Sequence, residues 1–125
     1  ITNALQNKDI QLTRPDVARD FIYVDDLIEI YIAAARHASE YPGHIFNGGS
    51  GESTTLKTLV EFILRETGSS SHVQWNDVAV SYDSDHWEAD TTKIREKLGW
   101  RPTHSLEAGI TDTIAWFRAH EEYWA

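Results

Sequence analysis

Two adjacent charges, Arg19 and Asp20, stand directly before the run Phe21-Ile22-Tyr23-Val24-Asp25-Asp26-Leu27. Arginine carries a planar, permanent charge whose fork matches a carboxylate or a phosphate, which makes Arg19 the first candidate for an anion site. Its competing use is a structural ion pair with Asp20, Asp25 or another nearby carboxylate. A second candidate is Gly48-Gly49-Ser50-Gly51, placed before a helix, where backbone N–H groups could meet a phosphate. That loop has neither the G-x-G-x-x-G spacing nor the P-loop lysine, and a tight strand-to-helix turn asks for the same glycines. The cluster Asp83, Asp85, Glu88 and Asp90 offers oxygen to a hard cation but lacks the calcium-hand pattern, so a solvated loop is the simpler reading. The six histidines, at 37, 44, 72, 86, 104 and 120, include no pair at metal-binding helical spacing. No serine sits in a nucleophile elbow.

The elements that must position these groups read as alternating strands and helices. Phe21–Val24 is β-branched and aromatic, which predicts a strand. It runs into a helix from Leu27 to Ala35, with Asp26 and Glu29 in the places of a capping box. That helix is apolar almost all round, which predicts neighbours on most sides. His44–Asn47 reads as a second strand. Leu56, Leu59, Val60, Ile63 and Leu64 then mark one face of an amphipathic helix, with Thr54 or Thr55 as its cap and Gly68 past its end. Short strands are expected at Ile10–Leu12 and Val73–Trp75, and Val78–Tyr82 reads as either a further strand or an extended loop. Helices are expected at Thr92–Leu98 and after the cap Ser105, with Leu106, Ile110, Ile114 and Phe117 on one face. Residues His120 to Ala125 are expected to fray. Strand, glycine turn and helix in succession are the grammar of an α/β fold with parallel strands.

The bulk numbers narrow the function. A chain of 125 residues is expected to form one domain, residues 1–125. Its net charge of −9 argues against a nucleic-acid surface. No run approaches a membrane span. Cysteine is absent, so no disulfide or thiolate chemistry is available, which fits a reducing, cytoplasmic compartment. There is no methionine either, and the chain opens on Ile1, which reads as part of a longer protein.

Several segments together resemble the extended short-chain dehydrogenase/reductases, the NAD-dependent sugar-nucleotide epimerases and dehydratases. They are Arg19-Asp20-Phe21-Ile22-Tyr23-Val24-Asp25-Asp26-Leu27, Ile45-Phe46-Asn47-Gly48-Gly49-Ser50-Gly51-Glu52, Ala89-Asp90-Thr91-Thr92-Lys93 and Leu98-Gly99-Trp100-Arg101-Pro102. Leu106-Glu107-Ala108-Gly109-Ile110 and Trp116 continue the match. The resemblance implies the C-terminal, substrate-side portion of a Rossmann-type fold. It implies that Arg19 reaches a nucleotide diphosphate, that Phe21 lies near the same ligand, that Asp83 can hold ribose hydroxyls and that Trp87 lies by the nucleotide. A second phosphate-binding arginine of many members falls here on Val80, so weaker binding or a different substrate is expected.

The family's glycine fingerprint and its Tyr-x-x-x-Lys pair are not among these residues: Tyr23, Tyr31, Tyr41 and Tyr82 are followed four positions on by Leu27, Ala35, Ile45 and His86. The expectation is therefore a nucleotide-sugar-binding portion that is not catalytic by itself and holds no NAD alone, although NAD serves the full-length family. The alternative is a stand-alone, non-catalytic binding or self-assembly module. Either way the apolar helix predicts a homo-oligomer, most simply a dimer.

Overall fold

The helix with the strongest periodicity forms as its residues ask. A computed structural model describes residues 1–76 and 84–124, and places α3 at Leu56–Thr67. Thr55 caps it by accepting the Thr58 N–H at 3.1 Å. Gly68 ends it at φ +67°, in the left-handed region that glycine enters without a Cβ penalty. Before it come α1 (Thr2–Leu5), β1 (Ile10–Leu12), β2 (Ala18–Asp20), α2 (Val24–Arg36) and β3 (Ser53–Thr55). After it come β4 (Val73–Trp75), α4 (Thr92–Leu98), α5 (Leu106–Ala119) and a 3₁₀ turn, Glu121–Tyr123. The result is a mixed α/β fold with short strands.

The strands make two ribbons. β1 pairs with β4 in parallel, Ile10 opposite Val73 and Leu12 opposite Trp75. β2 pairs with β3 antiparallel, Arg19 opposite Thr54 and Asp20 opposite Ser53. On its other side Ala18 bridges to His86, with its N–H donating to Asp85 O at 2.8 Å and its carbonyl accepting the Trp87 N–H at 3.1 Å. The polypeptide around Trp87 is thereby stitched to β2. α3 packs on α5 and α1. A core of Ile30, Ile94 and Trp100 gathers Ile22, Leu27, Phe46 and Leu98.

Four expectations are corrected. The strand lies at Ala18–Asp20 and not at Phe21–Val24, because its partner β3 is set back along the chain and pairing, more than propensity, defines a strand. Helix α2 begins at Val24 with Tyr23 before it, so Asp26 falls inside the first turn and makes no capping box. α2 is also not covered on most sides: Val24, Ile28 and Tyr31 are 56%, 48% and 69% exposed. Finally, His44–Asn47 is no strand. Among the described residues its backbone meets a turn bond from the His44 N–H to Tyr41 O and side chains such as Lys93 Nζ on Ile45 O, but no ladder.

The chain end is more ordered than expected. Trp124 Nε1 donates to Phe117 O at 2.7 Å, and the rings of Trp116, His120 and Tyr123 stack. The strand or extended loop expected over Val78–Tyr82 lies outside the described residues. Among those described, no helix is long and apolar enough to cross a membrane.

Candidate functional site

Arg19 is the middle residue of β2, opposite Thr54 of β3, and the bridge on the strand's other side falls on the preceding Ala18. Its Nη1 donates to Ala18 O at 2.8 Å and to Ser84 O at 2.9 Å, so one edge of the guanidinium is fixed by carbonyl oxygens. The side chain lines a groove of about 860 Å³, shared with Phe46, Asn47, Trp87, Glu88 and Asp90. Trp87 is exposed there, although its backbone is tied to Ala18. An aromatic wall and a positioned guanidinium are what a nucleotide with a charged diphosphate needs.

The candidate residues separate. Arg19 and Trp87 meet in this groove. Phe21 instead lines a second groove of about 590 Å³ with Tyr23, His104 and Ile110, between the start of α2 and α5. Asp83 and Val80 lie outside the described residues. Phe46 stands in the Arg19 groove, although the sequence marks it only as part of an expected strand and of the family-like segment Ile45–Glu52; its signal is its place directly before Asn47-Gly48. Lys93 Nζ lies 5.1 Å from the centre of its ring, a cation–π contact that holds the ring in place.

Carboxylates near the groove are engaged. Asp90 Oδ1 accepts the Thr92 N–H at 2.9 Å, and that backbone bond holds the Asp90 carboxyl below its ordinary range. Asp85 Oδ1 receives Arg14 Nη1 at 2.6 Å. Glu88 lies 3.7 Å from His86 Nε2. Among the described residues no group of three acidic or histidine side chains is placed to hold a metal ion.

The glycine loop proves to be bound from inside the protein. Asp20 Oδ1 accepts the Ser50 N–H at 2.7 Å, and Oδ2 accepts the Gly51 N–H at 3.0 Å. Two of the loop's N–H donors are thus spent on a carboxylate. These bonds fit the turn reading of Gly48–Gly51.

Strand, turn and helix order match part of the Rossmann-type fold of the extended short-chain dehydrogenase/reductases. Comparison with known proteins agrees. The family model described as GDP-mannose 4,6 dehydratase matches residues 1–113, and this chain belongs to that family. It is 33% identical to CDP-abequose synthase of Salmonella muenchen over 109 residues, covering 87% of this chain and 37% of that protein. Among solved structures it superposes on UDP-glucose 4-epimerase of Thermotoga maritima with UDP-glucose, at a TM-score of 0.84 and 29% identity, covering 96% of this chain and 38% of the other. It also matches the Bordetella bronchiseptica enzyme WbmF in complex with NAD+ and UDP, at a TM-score of 0.79 and 29% identity, covering 98% and 35%. The chain thus spans little more than a third of the proteins it matches.

Proposed function

We propose that this chain is the nucleotide-sugar-binding portion of an NAD-dependent epimerase or dehydratase and is not catalytically competent by itself. Arg19 holds the diphosphate, and Trp87 and Phe46 form the walls against which the nucleotide lies. The observation that carries this reading is the placement of one guanidinium, fixed on carbonyl oxygens, in a groove with two aromatic rings. The similar proteins complexed with UDP-glucose, or with NAD+ and UDP, support it. Holding the diphosphate handle orients the attached sugar, so that remote binding energy serves chemistry carried out elsewhere. The hydride acceptor and the proton-transferring tyrosine belong to the rest of such an enzyme.

Chemical-shift titration with UDP tests the reading. The chain is expected to bind UDP weakly, with shifts at Arg19, Phe46 and Trp87. Arg19→Ala abolishes them, and Arg19→Lys keeps a fraction, because an ammonium cannot make the fork. NAD added alone leaves the spectrum unchanged. Absence of UDP shifts in the wild type, together with a large stability loss in Arg19→Ala, would leave Arg19 as scaffold and sink the proposal.

A second reading, a self-assembling module, is favoured by the exposed stripe Val24, Ile28 and Tyr31 on α2. These positions fall at the three- and four-residue spacing of one helix face, and a second copy of the same face would bury them. Sedimentation velocity is expected to show a dimer that Ile28→Glu dissociates. A compact monomer at high concentration would count against it.

A further inference from the structure

Asp20 lines the Arg19 groove and bonds to segments on both of its sides. Oδ1 accepts the Ser50 N–H at 2.7 Å and the Ser50 hydroxyl at 2.6 Å. Oδ2 accepts the Gly51 N–H at 3.0 Å and the Ala89 N–H at 3.1 Å. Four donors thus fill two oxygens, and they come from two separate segments. One of them continues the Phe46–Gly48 wall; the other continues the Trp87–Glu88 wall. Trp87 is also tied to Ala18 O through its N–H at 3.1 Å. Its backbone is therefore suspended between an anchor at Ala18 and an anchor, two residues on, at Asp20.

We propose that Asp20 is a positioning residue of the groove: its carboxylate sets the distance between the Phe46 and Trp87 walls and so decides whether a nucleotide can lie against them. The inference rests on the nucleotide-binding reading above, but it concerns the frame and not the diphosphate contact. A carboxylate is required because both oxygens must accept: Oδ2 bridges the two segments through Gly51 and Ala89, and Oδ1 takes the Ser50 N–H. An amide of the same shape would turn an NH₂ group toward either the Gly51 and Ala89 N–H donors or the Ser50 N–H. Gly49 completes the junction, since a Cβ there would come within 2.5 Å of Asp20 Oδ2. The room for this carboxylate is thus set by the loop that it holds.

The test compares wild type, Asp20→Asn and Ser50→Ala by NMR, reading the Trp87 indole resonance, the Gly51 and Ala89 amide exchange rates, and the UDP titration. Asp20→Asn is expected to speed both exchange rates, to shift the Trp87 indole and to weaken UDP binding about tenfold, while α4 and α5 keep wild-type exchange. Ser50→Ala, which removes one donor, moves the same signals less. Faster exchange with an unchanged Trp87 resonance and unchanged UDP affinity overturns the proposal and leaves Asp20 as a structural peg. Should Asp20→Asn fail to fold, an unchanged Trp87 signal and affinity in Ser50→Ala overturns it equally. Should the wild type take up no UDP, the nucleotide reading fails, and Asp20 stands or falls on the Trp87 resonance alone.

Discussion

Replacing Asp26 with alanine is expected to cost about 3 kcal/mol of stability, because buried donors would lose a charged acceptor. Asp26 is only 2% exposed. Its Oδ1 accepts the Thr103 N–H at 3.1 Å and the Thr103 hydroxyl at 2.7 Å, and its Oδ2 accepts the His104 N–H at 3.0 Å. His104 Nδ1 lies 3.1 Å from Oδ1, in donor position in the tautomer that a carboxylate selects. One side chain in the first turn of α2 therefore fastens the turn that leads into α5, 77 residues on. The pH dependence follows. Burial alone would raise the Asp26 carboxyl, but the bonds from Thr103 and His104 outweigh it and hold the group at about 2, against an ordinary 3.8. A depressed carboxyl contributes stability that is fully present above its unfolded value and is lost as pH falls through the folded one. Urea unfolding of wild type and Asp26→Asn from pH 7 to pH 2 reads this directly. The gap between them should stay constant down to about pH 4 and narrow below it. A gap that persists unchanged to pH 2 would mean that the carboxylate charge does not matter.

Asp26 also illustrates what could be read in advance and what could not. Helices α3, α4 and α5 were legible because their information is local: the apolar period, the caps Thr55 and Ser105, and the stops Gly68 and Gly99. Strands β1 and β4 were legible as the short runs Ile10-Gln11-Leu12 and Val73-Gln74-Trp75, but their pairing with each other was not. The exact place of β2 was not. Phe21–Val24 has the better strand propensity, but β2 is defined by the polar partner Ser53–Thr55, which shows no apolar alternation at all. His44–Asn47 shows the opposite failure, a good strand pattern without a ladder. In the groove, Arg19 was legible from its charge and place and Trp87 from the family resemblance, whereas Phe46 was read as part of an expected strand and of that resemblance without a role in the site. Asp26 was misread, and the bonds of Asp20 went unforeseen, for one reason. Which N–H groups a carboxylate meets is decided 30 and 69 residues away for Asp20, and no local pattern reports it.

Gly49→Ala is expected to be the most damaging single-methyl addition in the glycine loop, at about 2–4 kcal/mol. Gly49 is buried, and an ideal Cβ there would stand 2.5 Å from Ala89 Cβ and 2.5 Å from Asp20 Oδ2. Carbon atoms in comfortable contact are about 3.5–4.0 Å apart, so at least one neighbour must yield by roughly an ångström. Neither yields cheaply. Ala89 has no flexible side chain, and its N–H is bound to Asp20 at 3.1 Å. The Asp20 carboxylate is itself held by Ser50 and Gly51, so moving it breaks several bonds together. Gly43→Ala supplies the control. There φ is +73° and no atom lies within 4 Å of the added Cβ, so the cost is backbone strain alone, about 1 kcal/mol. Urea unfolding of the two variants separates crowding from strain. A Gly49→Ala chain no less stable than Gly43→Ala would show that the loop relaxes freely and that the junction is not tightly packed. If the crowding is real, Gly49→Ala combined with Asp20→Ala should lose much less than the two single costs added, because removing the carboxylate vacates half of the contested space. The same variant should loosen the Trp87 wall, so that UDP affinity falls along with stability and the loop reveals itself as part of the binding frame.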